Sequence, residues 1–129
     1  MDSQTVEAPA QAPVIVLADD LIWSSRLVAA VERAGARSIR SGGVADLAAR
    51  LAELPAACVI VDLNGRGYDG VAAVGQAAAA GAAVLAVGQH EDVDLRKRAL
   101  AAGAQRVFSY NKLFSDGPAV VVRLLEGRL

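Results

Sequence analysis

Short runs of Val, Ile and Leu alternate with longer alanine-rich stretches that close on glycine, and this alternation restricts the fold more than any other feature of the chain. The runs fall at 14–17, 37–40, 57–61, 83–87 and 106–109; the second is weaker, and three of the five are almost wholly apolar. A strand with one wet face alternates apolar and polar residues. Runs without that alternation mark parallel strands covered on both faces.

The intervening stretches carry helix boundaries. The first spans about 21–34 and stops at Gly35, a position suited to the left-handed conformation. The second, 44–54, follows Ser41-Gly42-Gly43 and ends before Pro55. The third covers 70–80 and closes on Gly81. The fourth starts from an Asp92 cap, carries Leu95, Ala99 and Leu100 on one face, and ends at Gly103. The fifth begins near Ser115 and Asp116, holds Pro118 in its first turn, and runs to about Glu126. Five strand–helix units in one domain of this length specify an α/β fold: a single doubly wound three-layer sandwich around a five-stranded parallel sheet. With so few strands the flavodoxin-like order 2-1-3-4-5 is expected. Residues 1–13, acidic and rich in Pro and Ala, read as a disordered tail before a domain at 14–129.

In such a sheet, function collects at the carboxyl ends of the strands, near the switch between the first and third. Asp19 and Asp20 follow the first strand and Asp62 follows the third, so three carboxylates are expected to converge there. Like charges brought together repel unless a cation compensates, and hard oxygen donors in a hydrated crevice suit Mg²⁺. The plainer alternative is that one or more of these acids caps the next helix.

Composition narrows the function classes. Lys and Arg total 13 against 14 Asp and Glu, so no basic field recruits nucleic acid or an anionic membrane. Aromatic residues make up 4%, too few for a base-stacking platform. Cys58 is the only cysteine, which excludes a disulfide framework and a cysteine-rich zinc site. No apolar run approaches the ~20 residues of a membrane span, and the amino terminus lacks a signal-peptide pattern. A cytoplasmic setting is the expectation.

The first strand reads VIVLADD and the third VIVDLNGRGYDG, with Asp69-Gly70 closing the latter segment. From 14 to 126 the chain resembles response-regulator receiver domains, which carry an acidic pair after strand 1, a phosphoacceptor aspartate after strand 3 and an Asp-Gly pair at this spacing. The resemblance implies phosphoryl transfer from a histidine kinase to Asp62. It also implies Mg²⁺ held by Asp19 or Asp20, by Asp62 and by the backbone carbonyl of Asn64. Any enzymatic activity would be limited to the receiver's own phosphorylation and dephosphorylation.

Departures from the family pattern are equally definite. The switch Thr or Ser after strand 4 is replaced by Gly88, followed by Gln89 where a small residue is usual. The Lys-Pro after strand 5 is replaced by Tyr110 and Asn111, with Lys112 displaced by two residues and expected to reach back to the site. Gly65-Arg66 stands in place of the usual Met-Pro. This is the pattern of a degenerate receiver.

Other motifs have competing readings. The segment 65–70 matches the dinucleotide fingerprint G-x-G-x-x-G, although Asp69 would oppose a pyrophosphate and the motif follows the third strand. His90 is the only histidine and reads as a surface loop residue or an acid–base group at the rim. Cys58 reads as a small core residue, and Trp23 as a cover for the first helix or a wall of the crevice. Arg96, Lys97 and Arg98 form a basic run on the fourth helix, where receivers dock outputs and dimer partners. Val120, Val121, Leu124 and Leu125 spread around the fifth helix farther than one buried face requires, so an exposed apolar interface including Val121, Leu124 and Leu125 is expected.

Two mechanisms follow from this reading. One is a stand-alone receiver-like signalling module, with a histidine kinase or a downstream effector as partner and with homodimer formation. The other is a pseudo-receiver that docks constitutively without phosphorylation. Nucleotide binding at 65–70 is a more distant third.

Overall fold

All four residues of β1 (Val14–Leu17) are buried, as only a strand sandwiched between two helical layers can be. The computed structural model describes residues 13–55 and 57–129, so the tail expected at 1–13 lies outside them except for Pro13. The order continues α1 (Leu21–Arg33), β2 (Ser38–Ser41), α2 (Val44–Glu53), β3 (Cys58–Asp62), α3 (Gly70–Ala79), β4 (Ala83–Gly88), α4 (Val93–Ala102), β5 (Arg106–Ser109) and α5 (Tyr110–Leu125). The strands form one parallel sheet in the order β2-β1-β3-β4-β5, as the alternating pattern predicts.

Strand periodicity divides the core in two. Val14 and Val16 of β1, Ile60, Leu85, Val87 and Phe108 face α1 and α5. Ile15, Leu17, Val59, Val61, Val84 and Ala86 face α2, α3 and α4. Alanine suits the second layer because small residues at 73, 77 and 99 let α3 and α4 lie close to the sheet.

The fifth helix departs from expectation in two ways. It starts at Tyr110, immediately after β5, because the Ser109 side chain accepts from the Lys112 N–H (3.1 Å) and caps it. A break at Asp116 (φ −126°, ψ 22°) then re-aims the chain ahead of Pro118. Second, Val120, Val121 and Leu124 are all buried, which corrects the expected apolar interface. Gly117 explains this burial. A Cβ there would lie 2.9 Å from the Ala30 Cβ, so α5 presses against α1 and sinks a wide arc between it and the sheet. Val121 and Leu124 belong to the core, and Leu125, half-buried, packs against its margin.

Candidate functional site

The carboxyl ends of β1 and β3 are held together by side chains of the following loops. Tyr68 reaches under the edge and donates to the backbone carbonyl of Asp62 (2.7 Å), with the Leu17 carbonyl at 3.2 Å. Gly65 makes room for that ring, since a Cβ at residue 65 would lie 2.2 Å from it. Across the gap from β1, Asp19 accepts from the Arg66 N–H at 3.0 and 3.1 Å and from the Gly67 N–H at 2.6 Å. The glycine-rich loop therefore spends two of its N–H groups, those of Arg66 and Gly67, on Asp19, and a pyrophosphate would compete for them. This geometry opposes dinucleotide binding at 65–70.

Asp20 turns the other way and caps α1, accepting from the Trp23 N–H (2.9 Å). Asp69 caps α3 in the same manner through the Ala72 N–H (3.1 Å). The capping alternative thus holds for Asp20. Asp62 ends β3 and is 2% exposed. Its Oδ1 accepts from the Asn64 N–H (3.1 Å) and from the Tyr110 hydroxyl, whose oxygen also stands 3.1 Å from Asn64 Oδ1. The Tyr110 ring packs against Trp23 in a tilted pair with centroids 4.4 Å apart, which puts Trp23 at the crevice wall. Asp20, Asp62, Asn64, Arg66, Gln89 and the two rings line a depression of about 300 Å³.

No protein-family model and no curated protein sequence matches the chain. Solved structures do match. The beryllofluoride-activated NtrC4 receiver domain dimer is 18% identical at a TM-score of 0.77, over 92% of this chain and 100% of that one. The receiver domain of NtrX from Brucella abortus is 16% identical at 0.78, over 88% and 98%. The signal receiver domain of the response regulator NarL from Mycobacterium tuberculosis is 18% identical at 0.74, over 93% and 100%. The chain has the receiver-domain fold.

Against that fold the predicted site residues sort clearly. Asp19, Asp20 and Asp62 do meet at one receiver edge, but each is engaged separately. Among the described residues no three His, Cys, Asp or Glu side chains are grouped so as to hold a metal. Mg²⁺ demands several oxygens in near-octahedral array. Here Asp19 is closed by two backbone N–H groups, Asp20 by its cap, and Asp62 by Asn64 and Tyr110. Asn64 donates its backbone N–H to Asp62. As arranged, the three carboxylates do not form one ready metal-binding group.

Lys112 does not return to the receiver edge. The early start of α5 places it inside the helix, where its Nζ pairs with Asp116 four residues on (2.8 Å), which corrects the expected displaced lysine. Gly88 lies buried at the end of β4, and a Cβ there would face Leu63 Cδ1 at 3.3 Å and Asn64 Oδ1 at 3.7 Å. His90 is exposed beside Gln89 and Asn111. Arg96 is half-buried and Lys97 exposed on α4. Cys58 is half-buried at the core margin, where burial pushes its thiol up. Sequence reasoning missed Tyr68 as a site residue. Its signal was an aromatic residue placed between glycines in a loop that needed no hydrophobe.

Burial holds the Asp62 carboxyl above the usual carboxylate range; the Tyr110 and Asn64 donors pull it back, and the charges of Asp20 and Asp19 add to the rise. Burial, the bond to Asp62 and its charge also push the Tyr110 phenol up, so that hydroxyl remains a donor at neutral pH. A raised folded-state value means the native chain binds more proton than the unfolded one between the two values. Asp62 therefore costs stability as pH rises through that window, and the cost is complete above it. Asp62→Asn is expected to raise Tm at neutral pH and to give no gain below the ordinary carboxylate range. Thermal melts of both proteins across acid to neutral pH check this; a gain that persists unchanged in acid would refute it.

Proposed function

We propose that this chain is a receiver-fold protein-interaction module that works without phosphoryl transfer to Asp62. The observation that carries the reading is the Tyr110 hydroxyl bonded to Asp62 Oδ1. A neutral donor packed against Trp23 occupies the carboxylate where the family resemblance calls for a lysine and a metal ion. Gly88 removes the hydroxyl that would follow a phosphoryl group, so the usual link from acceptor to surface lacks a part. Its partners are proteins: a kinase or effector docked without phosphoryl transfer, or a second copy of the chain. The exposed Lys97 of α4 remains available to them. Among the described residues no helix is long and apolar enough to cross a membrane.

One observation favours the competing reading, a Mg²⁺-dependent phosphoacceptor. Asp62 ends β3 at the switch between β1 and β3, with Asp19 and Asp20 close enough for their charges to act on it. The two readings separate on intact mass after incubation with a small phosphodonor and Mg²⁺. No phosphoryl adduct is expected, and millimolar Mg²⁺ or Mn²⁺ is expected to leave Tm unchanged. An adduct on the wild type that Asp62→Asn loses would overturn the proposal.

A further inference from the structure

The groove between α1 and α5 is unrelated to the acidic edge in its chemistry. It encloses about 260 Å³, with Ala29, Leu113 and Pro118 as an apolar floor and Phe114, 67% exposed, as one wall. Two guanidinium groups, Arg26 and Arg33, stand on its α1 side, and both residues are exposed. They are seven positions apart, so they share a helix face about 10 Å apart along the axis.

Arg26 is held where it stands. Its guanidinium lies 4.8 Å from the Phe114 ring centroid and 5.2 Å from that of Trp23, an arrangement that leaves the planar N–H edge open for a carboxylate. The nearby acids are engaged elsewhere: Asp116 pairs with Lys112 at 2.8 Å, and Glu32 accepts from Ser38 at 3.3 Å. Among the described residues neither Arg26 nor Arg33 forms an ion pair. A groove with an apolar floor and two positive charges one heptad apart, that of Arg26 held against two rings, selects its occupant by spacing as well as sign.

We infer that this groove docks an acidic amphipathic helix of a partner protein, one apolar side chain entering between Phe114 and Pro118 and two carboxylates seven residues apart meeting Arg26 and Arg33. The inference rests on the protein-interaction reading above, but it does not depend on whether Asp62 takes a phosphoryl group. Bidentate arginine–carboxylate pairs flanking an apolar anchor supply both specificity and salt dependence.

The probe is a synthetic helical peptide with Glu at i and i+7 and Leu at i+3 and i+4, titrated into the full ¹⁵N-labelled chain. Resonance shifts are expected along α1 and α5, with binding weakened about tenfold or more by Arg33→Ala and by Phe114→Ala, and weakened again by salt. A matched peptide with Lys in place of Glu should fail. The proposal is overturned by no binding at millimolar peptide, by equal binding of the Lys peptide, or by shifts that map off the groove. It is overturned likewise if sedimentation shows a second copy of the chain on this face, or if anionic vesicles bind there and the peptide does not. Phosphodonor treatment of the same sample keeps the two readings apart. An adduct with peptide binding intact sinks only the phosphorylation-independent reading, whereas no adduct and no peptide binding sinks only the groove.

Discussion

Val121→Glu is expected to unfold the chain or to cost more than about 3 kcal/mol, because an unpaired carboxylate would be forced into an interior with no partner for it. Val121 is 0% exposed, and the core around it is built from Val14, Val28, Ile60 and Phe108 among others. Leu125→Glu, one turn on at the half-buried margin, is expected to cost less than about 1 kcal/mol, since its side chain can swing to water. Urea unfolding of the two variants supplies the contrast. If α5 offered an apolar docking stripe through Val121, the glutamate would leave the monomer's midpoint intact and change only association. A wild-type midpoint for Val121→Glu would therefore restore the interface reading.

The second large effect is expected at Gly70, the first residue of α3. A Cβ there would lie 2.6 Å from the Leu63 carbonyl oxygen and 2.7 Å from the Leu63 Cα. Backbone cannot yield as a flexible side chain can, so Gly70→Ala should cost about 2–3 kcal/mol by forcing α3 away from the end of β3. Gly42→Ala serves as the control, because nothing lies within 4 Å of a Cβ there and the change should be near neutral. The loss at Gly70 should also reach the acidic edge, since the displaced residue is next to Asp62 and covers Gly88. Chemical denaturation gives the cost, and the Asn64 and Gly88 amide resonances give the displacement. Equal stability of the Gly70 and Gly42 variants would refute the close approach.

The fold was legible because its signals are local and repeated. Apolar runs without alternation, glycine stops and the Asp92 cap each mark one boundary, and together they leave few topologies. Boundaries slipped where the backbone overruled the side chains. The second strand lies at Ser38–Ser41, one residue later than its weak pattern suggested, because register is set by pairing with β1. The site was less legible. Finding three aspartates at one edge needed only topology, but deciding what each accepts needed the loop path. Asp20 has a cap within three residues, whereas Asp19 meets backbone groups 47 and 48 positions away. Lys112 illustrates the same limit. Its distance in sequence from Asp62 says nothing about the helix that turns it outward. A Ser109 cap does signal that helix, but the Asp116 and Pro118 pair pointed to a later start.

The placement of Tyr68, Tyr110 and Trp23 has a consequence for observing this molecule. The sequence contains one tryptophan and two tyrosines, and all three stand at the acidic edge. Indole and phenol rings dominate near-ultraviolet absorption and emission. The optical signature of the folded chain is thus a signature of one corner of it. Tyr110, in contact with the indole, transfers excitation to it, and the Arg26 guanidinium polarises the same ring. Global melting will register in the far ultraviolet through the helices. Any rearrangement confined to Asp62 and its neighbours will register in the near ultraviolet alone, without a label or a mutation.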